Sequence, residues 1–231
     1  MKNEKKDNST PLPASVYDAQ IRKTIPYYDR FHEETINLIK AMSISPKVWL
    51  DTGCGTGSLI EKAIKAFPKT RFILADPSNA MLCEAKKKLD TPAGQFSCLP
   101  PCGTADVCIP EGNRPDVITA IQSHHYMTKE ERAMATKKCY DLLVKGGIYV
   151  CFENIRPLME QGIKIGKEYW KDFQVASGKT PDEAEKHVAR FDVEYFPITV
   201  EEHLALLRGT GFEVIEIFWY SYMQAGFYAI K

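Results

Sequence analysis

The sequence predicts an α/β protein, built on a mostly parallel sheet with helices on both faces and closed by a C-terminal antiparallel hairpin. Three observations predict this class. Strand-like and helix-like segments alternate over residues 47–154, a glycine-rich turn follows the first strand directly, and two strand-like runs at the C-terminus have no helix between them. Alternation is typical of parallel strands joined by helices, whereas consecutive strands with a short connection pair antiparallel.

Before the first strand, the chain is predicted to form a tail and then a helical cover. Residues 1–14 are polar and charged and contain two prolines, so we expect a mobile tail. In the cover, residues 15–45, apolar side chains recur at near-helical spacing, and Pro26 predicts either two short helices or one kinked helix. The rest of the chain, 15–231, is interpreted as a single domain.

The alternating region is predicted to contain five strands and three helices. The strands are 47–51, 71–76, 94–99, 115–122 and 148–154, and the helices are 58–67, 79–89 and 129–143. Ser78 is placed to cap the second helix, and Thr128 with Glu131 forms a capping box for the third. These boundary signals agree with the hydrophobic periodicity.

The C-terminal third is predicted to begin with a helical insertion, 158–208, and to end in the hairpin. Thr180 and Thr199 each precede a glutamate by three residues and so predict helix starts within the insertion. The two hairpin strands are separated by little more than SYMQAG. Aromatic side chains are dense in EYWKDF (168–173) and FWYSYMQAGFY (218–228), where they predict either a pocket for an apolar small molecule or ordinary core packing.

The composition indicates a cytoplasmic protein with small ligands. Thirty basic and thirty acidic residues balance, whereas a dedicated nucleic-acid binder usually carries a basic excess. The sequence has no apolar stretch of membrane-spanning length and no signal-peptide pattern, and its seven cysteines suit reduced thiols. Cys98, Cys102 and Cys108 cluster without a histidine at zinc-finger spacing, so no metal site is expected.

The turn in VWLDTGCGTG (48–57) is predicted to hold a ligand. Gly53, Gly55 and Gly57 stand directly before a helix, where a ligand can lie against bare backbone and the helix N-terminus. A tight turn alone would need only one glycine. The dinucleotide fingerprint requires its third glycine where this chain has Ser58, and the Gly-Lys-Ser/Thr of a phosphate loop is absent, so a nicotinamide-dependent dehydrogenase is disfavoured.

Two aspartates indicate the class of ligand. Asp51 ends the first strand, and its carboxylate would repel a pyrophosphate but attract an ammonium or sulfonium group. Asp76 ends the second strand, where an acid accepts hydrogen bonds from ribose hydroxyls. The alternative for Asp76 is a helix-capping role before Pro77. Together the two acids favour a cationic nucleoside.

These segments resemble a known family. VWLDTGCGTG and RFILADPSNAMLCEA are similar to the first two motifs of the class I S-adenosylmethionine-dependent methyltransferases, and PDVITAIQSHHYM and LLVKGGIYVCFEN resemble the motifs of the fourth and fifth strands. The resemblance covers about residues 47–155. It implies a Rossmann-like seven-stranded sheet, S-adenosyl-L-methionine as cofactor, S-adenosyl-L-homocysteine as product, and methyl transfer to a small-molecule acceptor.

The resemblance also implies which residues bind the cofactor. They are Asp51, Gly53, Gly55 and Gln122 for the amino-acid part, Asp76 for the ribose, and Pro77, Met81, Thr104 and Ala105 for adenine. Thr104 stands where the family usually has a carboxylate. Asp106, two residues further on, is expected not to contribute to cofactor binding.

Both ends of the chain resemble a second family, the carboxy-S-adenosylmethionine synthases of bacterial tRNA wobble-uridine modification. The similar segments are YDAQIRKTIPYYDRFHEETINLI (17–39) and the run from PITVEEHLALL to GFYAIK (197–231). The likeness implies that Tyr28 leans over the cofactor, and it leaves a tRNA-modifying enzyme as an alternative. That family binds an extra carboxylate with an arginine, whose matching position here is Phe196. Because a buried carboxylate without a cation is costly, ordinary methyl transfer is favoured.

Methyl transfer needs few catalytic groups, since the protein mainly aligns the acceptor and excludes water. The candidate side chains are His124, His125, Tyr126, Glu153, Asn154, Tyr17, Tyr27 and Tyr28. His125 is the predicted general base because imidazole titrates near neutral pH, the alternative being that SHHYM only caps and packs the following helix. Glu153 is expected either to orient an acceptor or to form a structural ion pair. A cofactor-binding module without turnover and a homodimer are left open.

Overall fold

The computed structural model describes residues 10–89, 94–110 and 112–231, and within them seven strands form one sheet in the order β3-β2-β1-β4-β5-β7-β6. The strands are β1 (Val48–Thr52), β2 (Arg71–Ala75), β3 (Phe96–Cys98), β4 (Val117–Ile121), β5 (Ile148–Asn154), β6 (Val214–Ser221) and β7 (Gln224–Ile230). The first five pair in parallel, whereas β7 runs antiparallel to both β5 and β6. The predicted fold class is confirmed.

Helices cover the sheet, and their predicted positions are confirmed within one to three residues at most ends. They are α1 (Tyr17–Ile21), α2 (Tyr28–Ala41), α3 (Ser58–Ala66), α4 (Asn79–Lys88), α5 (Lys129–Leu142), α6 (Glu160–Ala176), α7 (Pro181–Val188) and α8 (Val200–Thr210). Capping boxes begin α5, α7 and α8, as predicted. Each box satisfies backbone N–H groups that a helix start otherwise leaves without partners.

Alternate residues of the strands enter two different cores, which confirms that both faces of the sheet are covered. In β1, Trp49 packs in the core that includes Ile60 of α3, whereas its neighbour Leu50 packs in the core that includes Cys139 of α5. All five residues of β1 are buried, as expected for a central parallel strand.

Strand order reverses between β1 and β4, which are neighbours although β2 and β3 lie between them in the chain. On either side of this pair the connections lead away in opposite directions, so the carboxyl ends of β1 and β4 border a crevice. Ligands of parallel α/β sheets bind at such a position.

The N-terminal cover consists of two helices, α1 and α2, and not of one kinked helix. Residues 22–27, which include Pro26, separate them, and Tyr27 has a left-handed backbone with φ 57°. Phe31 of α2 stacks on Phe152 of β5 with 4.5 Å between ring centroids. The indole N–H of Trp170 in α6 donates to the carbonyl of Thr24 at 2.7 Å, so the helical insertion is joined directly to this cover.

The predicted tail, 1–14, lies partly outside the described residues, which begin at Thr10. Thr10 and Pro11 are half-buried, and a short 3₁₀ turn over Ala14–Val16 leads into α1. At the other end of the chain, β6 and β7 extend into the predicted connection, so that only Tyr222 and Met223 form the turn.

Candidate active site

A cavity of about 450 Å³ lies where β1 and β4 end, and we call it the first cavity. Every predicted cofactor-binding residue lines it: Tyr28, Asp51, Gly53, Gly55, Asp76, Pro77, Met81, Thr104, Ala105 and Gln122. Among the described residues, its lining holds four acidic residues (Asp51, Asp76, Asp106 and Glu131) and no lysine or arginine. Such a lining favours a cationic ligand over a polyanion.

The three glycines of the turn serve different purposes. All three have positive φ, but a Cβ on Gly53 would lie 2.4 Å from the Cβ of Ser123, and one on Gly57 would lie 3.2 Å from the Cβ of Ala85. A Cβ on Gly55 would meet nothing within 4 Å. Packing inside the protein therefore requires glycine at 53 and 57, and only Gly55 leaves open space beside the first cavity. Gly53 and Gly55 both line the cavity, whereas Gly57 does not, so a ligand role for the first two stays a prediction.

Asp51 is a buried carboxylate in the wall of the first cavity. Its side chain is 2% exposed, and Oδ1 accepts a hydrogen bond of 2.6 Å from the Thr119 hydroxyl. Burial raises the pKa of Asp51 to about 7, and the negative charge of Asp76 acts in the same direction. A cation bound in this cavity would offset both the burial of the Asp51 carboxylate and its repulsion by Asp76.

Asp76 organises the glycine turn. One carboxylate oxygen accepts from the backbone N–H of Gly55 at 2.8 Å, and the other accepts from the N–H of Ser78 at 2.9 Å. Ser78 itself caps α4 by accepting from the N–H of Met81 at 3.1 Å. Asp76 therefore supports the helix start as well as lining the cavity, so its two sequence-based interpretations are compatible.

The 3₁₀ turn over Thr104–Asp106 forms another part of the wall. The Thr104 hydroxyl lies 2.7 Å from the hydroxyl of Thr52 and 3.1 Å from Nε2 of His124. Both contacts engage the hydroxyl of Thr104, the residue that stands where the family usually has a carboxylate. Asp106 lines the cavity from the same turn, and the expectation that it does not contribute to cofactor binding stays a prediction. The sequence signal for this location was the position of Asp106 two residues after Thr104.

A second cavity, of about 240 Å³, adjoins the first. The two cavities share Thr10, Tyr17, Gln122 and Tyr126 in their linings. Gln122 has φ 55°, and its backbone N–H donates to the carbonyl of Phe152 at 2.7 Å. This conformation directs the chain from the end of β4 across the boundary between the cavities, where Gln122 is placed to contact ligands on both sides.

His125 and Glu153 form a buried pair beside the second cavity, which His125 lines. Nδ1 of His125 lies 2.9 Å from Oε2 of Glu153, and the same carboxylate accepts from the backbone N–H groups of His124 and His125. The side chains are 2% and 1% exposed. Burial opposes ionisation of Glu153, but the hydrogen bond and charge of His125 outweigh it and lower the pKa of the carboxyl. The carboxylate thus holds the Nδ1–H of His125 and leaves Nε2 for the cavity.

His124 has a packing role, the alternative considered for this segment. Its Nδ1 lies 3.2 Å from the Tyr149 hydroxyl, and its Nε2 contacts Thr104. Burial lowers the pKa of His124 to about 4, so this imidazole is neutral. The helix that follows is capped by Thr128, not by either histidine.

Other candidate side chains divide between the cavities and the surface. Tyr17 lines both cavities, and Asn154 lines the second. Tyr27 lines neither; it is exposed and packs against Trp219, with 6.1 Å between ring centroids. In the aromatic segments, Trp170 is core, and Tyr169 stacks on Tyr222 at 4.1 Å outside both cavities.

The second cavity contains basic side chains, although Phe196, the position considered for a cation, is not one of them. Phe196 lies in neither lining; its backbone N–H donates to the carbonyl of His125 at 2.7 Å. Arg190, six residues earlier, lines the second cavity together with Lys179 and Lys186. The chain folds back between α7 and α8, which a linear match of the segment could not indicate.

The seven cysteines are free thiols. Within residues 10–89, 94–110 and 112–231, no group of three or more histidine, cysteine, aspartate or glutamate side chains is arranged to hold a metal ion. No helix in this described part of the chain is long and apolar enough to cross a membrane.

Comparison with known proteins agrees with this geometry. Residues 50–149 match the family described as a methyltransferase domain. The chain is 24% identical over 218 residues to the carboxy-S-adenosyl-L-methionine synthase of Nautilia profundicola, covering 94% of this chain and 92% of the relative. The synthase of Helicobacter hepaticus is 27% identical over 224 residues, covering 88% and 86%. Among solved structures, the plantazolicin methyltransferase BpumL, in complex with a triazolic desmethylPZN analog and S-adenosylhomocysteine, has a TM-score of 0.72 at 15% identity, covering 96% of this chain and 92% of that one.

These matches and the fold support an S-adenosylmethionine-dependent methyltransferase with S-adenosyl-L-methionine as its cofactor. The class predicted from the motifs is confirmed. The protein is therefore an enzyme of this kind.

Proposed function

We propose that this S-adenosylmethionine-dependent methyltransferase methylates a small molecule bound in the second cavity, with His125 as the general base. One observation carries the proposal. His125, which Glu153 holds by a hydrogen bond, lines the second cavity, and this cavity shares Gln122 and Tyr126 with the first. A nucleophile placed near His125 would therefore lie beside the boundary that the cofactor's reactive end must reach.

The residues that line the first cavity fit S-adenosyl-L-methionine. Asp51 presents a buried carboxylate whose pKa of about 7 would fall beside the ammonium group of the methionine part. Gly55 leaves room against the backbone, and Asp76 lines the same wall. The Nε2 of Gln122 is buried without a hydrogen-bond partner in the described chain, so it is available to a ligand acceptor. We propose these four residues as the main cofactor contacts.

When bound, S-adenosyl-L-methionine supplies an electrophilic methyl group, which the acceptor atom takes as the carbon–sulfur electrons pass to sulfur. Nε2 of His125 would accept the proton that the acceptor loses. Glu153 acts as a positioning residue, because it holds Nδ1–H and stabilises the imidazolium that forms. Burial raises the pKa of Tyr17, which lines both cavities, and of Tyr28, which lines the first, so both phenols stay protonated.

The test of this function is incubation of the protein with methyl-labelled S-adenosyl-L-methionine and a metabolite extract, followed by identification of the labelled product. A His125→Gln variant is expected to lose about 10²- to 10⁴-fold in turnover, the usual worth of general acid–base catalysis. Cofactor binding should be unchanged in this variant, because His125 does not line the first cavity. Full turnover by His125→Gln would contradict the assignment of the base.

Synthesis of carboxy-S-adenosylmethionine is the second candidate. It is supported by the relatives of that name, which match nearly the whole chain, and by the basic side chains in the second cavity. Mass spectrometry of the nucleoside that co-purifies with the protein distinguishes the candidates. Ordinary methyl transfer predicts S-adenosyl-L-methionine or its homocysteine product, whereas the synthase predicts a nucleoside heavier by one carboxyl group.

We propose a small molecule and not a tRNA as the direct acceptor, because the chain has no basic excess and the second cavity has a volume of only about 240 Å³. The free thiols support a cytoplasmic location. Gel filtration with light scattering tests the possibility of a homodimer.

A further inference from the structure

His32 is a buried imidazole in the wall of the first cavity. It lies on α2, one turn after Tyr28, and is 1% exposed. The rings of Tyr28 and His32 meet edge to face, with 4.8 Å between their centroids. The Nδ1 atom of His32 is buried and has no hydrogen-bond partner in the described chain. Because buried polar atoms are almost always hydrogen-bonded, an unpartnered atom of a side chain that lines a cavity indicates a ligand.

His32 is uncharged at neutral pH. Burial lowers its pKa to about 3, and the positive charge of Lys62 acts in the same direction. Of the weaker influences, Asp29 opposes this shift, whereas Arg22 and Lys88 support it. A neutral imidazole carries one N–H donor and one acceptor nitrogen. Since no bond within the described chain holds Nδ1, the ring can turn about its Cβ–Cγ bond to present this nitrogen to a ligand.

The position of His32 is on the Asp51 side of the cavity. Burial raises the pKa of Tyr28, and the charge of Asp51 contributes to this shift, so the two groups lie near each other. His32 packs against the same Tyr28 ring. Asp51 is the proposed partner of the cofactor's ammonium group, and His32 is therefore placed beside the methionine part.

The methionine part carries a carboxylate as well as an ammonium group. Asp51 matches the ammonium group, but the described lining of the first cavity holds no lysine or arginine to match the carboxylate. A carboxylate taken out of water without a partner is costly, so neutral donors must meet it. In the described lining, the buried polar atoms without partners are Nδ1 of His32, Nε2 of Gln122 and Oγ of Ser123.

We infer that His32 binds the carboxylate of the cofactor's methionine part through a neutral N–H group. The inference rests on the proposed placement of the cofactor in the first cavity, and it adds a residue that no sequence motif indicated. A hydrogen bond to a carboxylate is charge-assisted even when the donor is neutral, so no cation is needed. The reverse arrangement, in which the imidazole accepts from the ammonium group, is disfavoured because Asp51 and Asp76 already supply acceptors in this cavity.

The experiment is calorimetric titration of the full chain with S-adenosyl-L-homocysteine and with its decarboxylated analogue, which keeps the amino group. The parent is expected to bind S-adenosyl-L-homocysteine at least about tenfold more tightly than the analogue. His32→Phe keeps an aromatic ring in the wall but removes the donor. It should weaken binding of S-adenosyl-L-homocysteine about 10- to 100-fold and leave binding of the analogue unchanged. His32→Asn should restore part of the loss, because its amide N–H can replace that of Nδ1.

The pH dependence separates His32 from Asp51. Asp51 meets the amino group of both ligands and His32 stays uncharged, so the ratio of the two affinities should be constant between about pH 6 and 8. Thr35→Val is the matched control, because Thr35 is a buried polar residue of the same helix and lines neither cavity. This control variant should bind both ligands as the parent does.

Equal losses for both ligands in His32→Phe and His32→Asn would show that His32 only supports the cavity wall, and would overturn the inference. Unchanged affinity for S-adenosyl-L-homocysteine, or a selective loss of the analogue, would overturn it as well. Equal binding of the two ligands by the parent would reject the carboxylate contact and leave the placement of the cofactor standing. Binding of neither ligand by the parent would reject the placement itself, so the two failures are distinguishable.

Discussion

Asp51 and Thr119 face each other across the β1–β4 pair, and the Thr119 hydroxyl donates a hydrogen bond of 2.6 Å to the Asp51 carboxylate. The same hydroxyl oxygen accepts from the indole N–H of Trp49 at 2.9 Å. Two adjacent strands thus hold a buried acid in one orientation at the edge of the first cavity. The fold maintains this acid against the cost of its burial, which is expected of a group that meets a cationic ligand.

Replacement of Asp51 by asparagine is expected to weaken binding of S-adenosyl-L-methionine about 10- to 100-fold, because a charge-assisted contact to the ammonium group is lost. The ligand-free variant should also unfold at a higher temperature than the parent. Burial raises the pKa of Asp51, so at neutral pH the folded protein holds a carboxylate that the unfolded chain ionises more easily. Calorimetry and thermal unfolding measure the two effects, with exposed Asp172→Asn as the control.

Cofactor affinity should depend on pH through Asp51. The carboxyl has a pKa of about 7 in the ligand-free protein and must be ionised to attract a cation. Affinity is therefore expected to fall about tenfold for each pH unit below 7 and to level off above it. Titration calorimetry across this range provides the measurement. In Asp51→Asn the dependence should disappear; if it persists unchanged, another group is responsible.

Replacing Gly53 by alanine and replacing Gly55 by alanine should have different consequences. At Gly53 the new Cβ meets Ser123 at 2.4 Å, and φ is 64°, so we expect a loss of more than about 1–2 kcal/mol in the free energy of unfolding. At Gly55 φ is 53° but no atom lies within 4 Å, so stability should fall by no more than the strain of the left-handed backbone. Cofactor affinity should drop in Gly55→Ala, because the methyl group would lie in the open space beside the cavity. Denaturant unfolding and calorimetry separate the two outcomes.

Glu153→Gln tests whether the carboxylate positions His125. The amide keeps the shape but cannot stabilise an imidazolium, so turnover should fall about tenfold or more while cofactor affinity is retained. The rate should also respond to pH differently, since the variant imidazole loses its anionic partner. A pH–rate profile identical in shape and height to that of the parent would show that Glu153 only supports the backbone of His124 and His125.

Local sequence patterns were sufficient to predict much of the fold. The capping box of Thr128 and Glu131 lies where its spacing predicts, and short apolar runs indicated the strands. Such features depend on residues that lie close together in the chain, so they can be read directly from the sequence. The strand-end position of Asp51 likewise follows from the first strand alone.

Contacts between distant segments were not predictable in the same way. The packing of Gly53 against Ser123 depends on how two loops meet, and the second cavity appears only when the insertion folds back to bring Arg190 and Lys179 beside His125. Sequence matching pointed to Phe196 instead, since it could not account for the path of the chain between α7 and α8.

The sequence by itself determined the class of sheet, the glycine turn and the acids at the strand ends, and through them the cofactor. Only the tertiary structure decided which histidine faces a cavity and which is packed, and that basic side chains line the same cavity as the histidine that faces it. The physical reason is that short-range spacing sets helices, strands and caps, whereas the charge and shape of a cavity arise from side chains that are remote in the chain and meet only after packing.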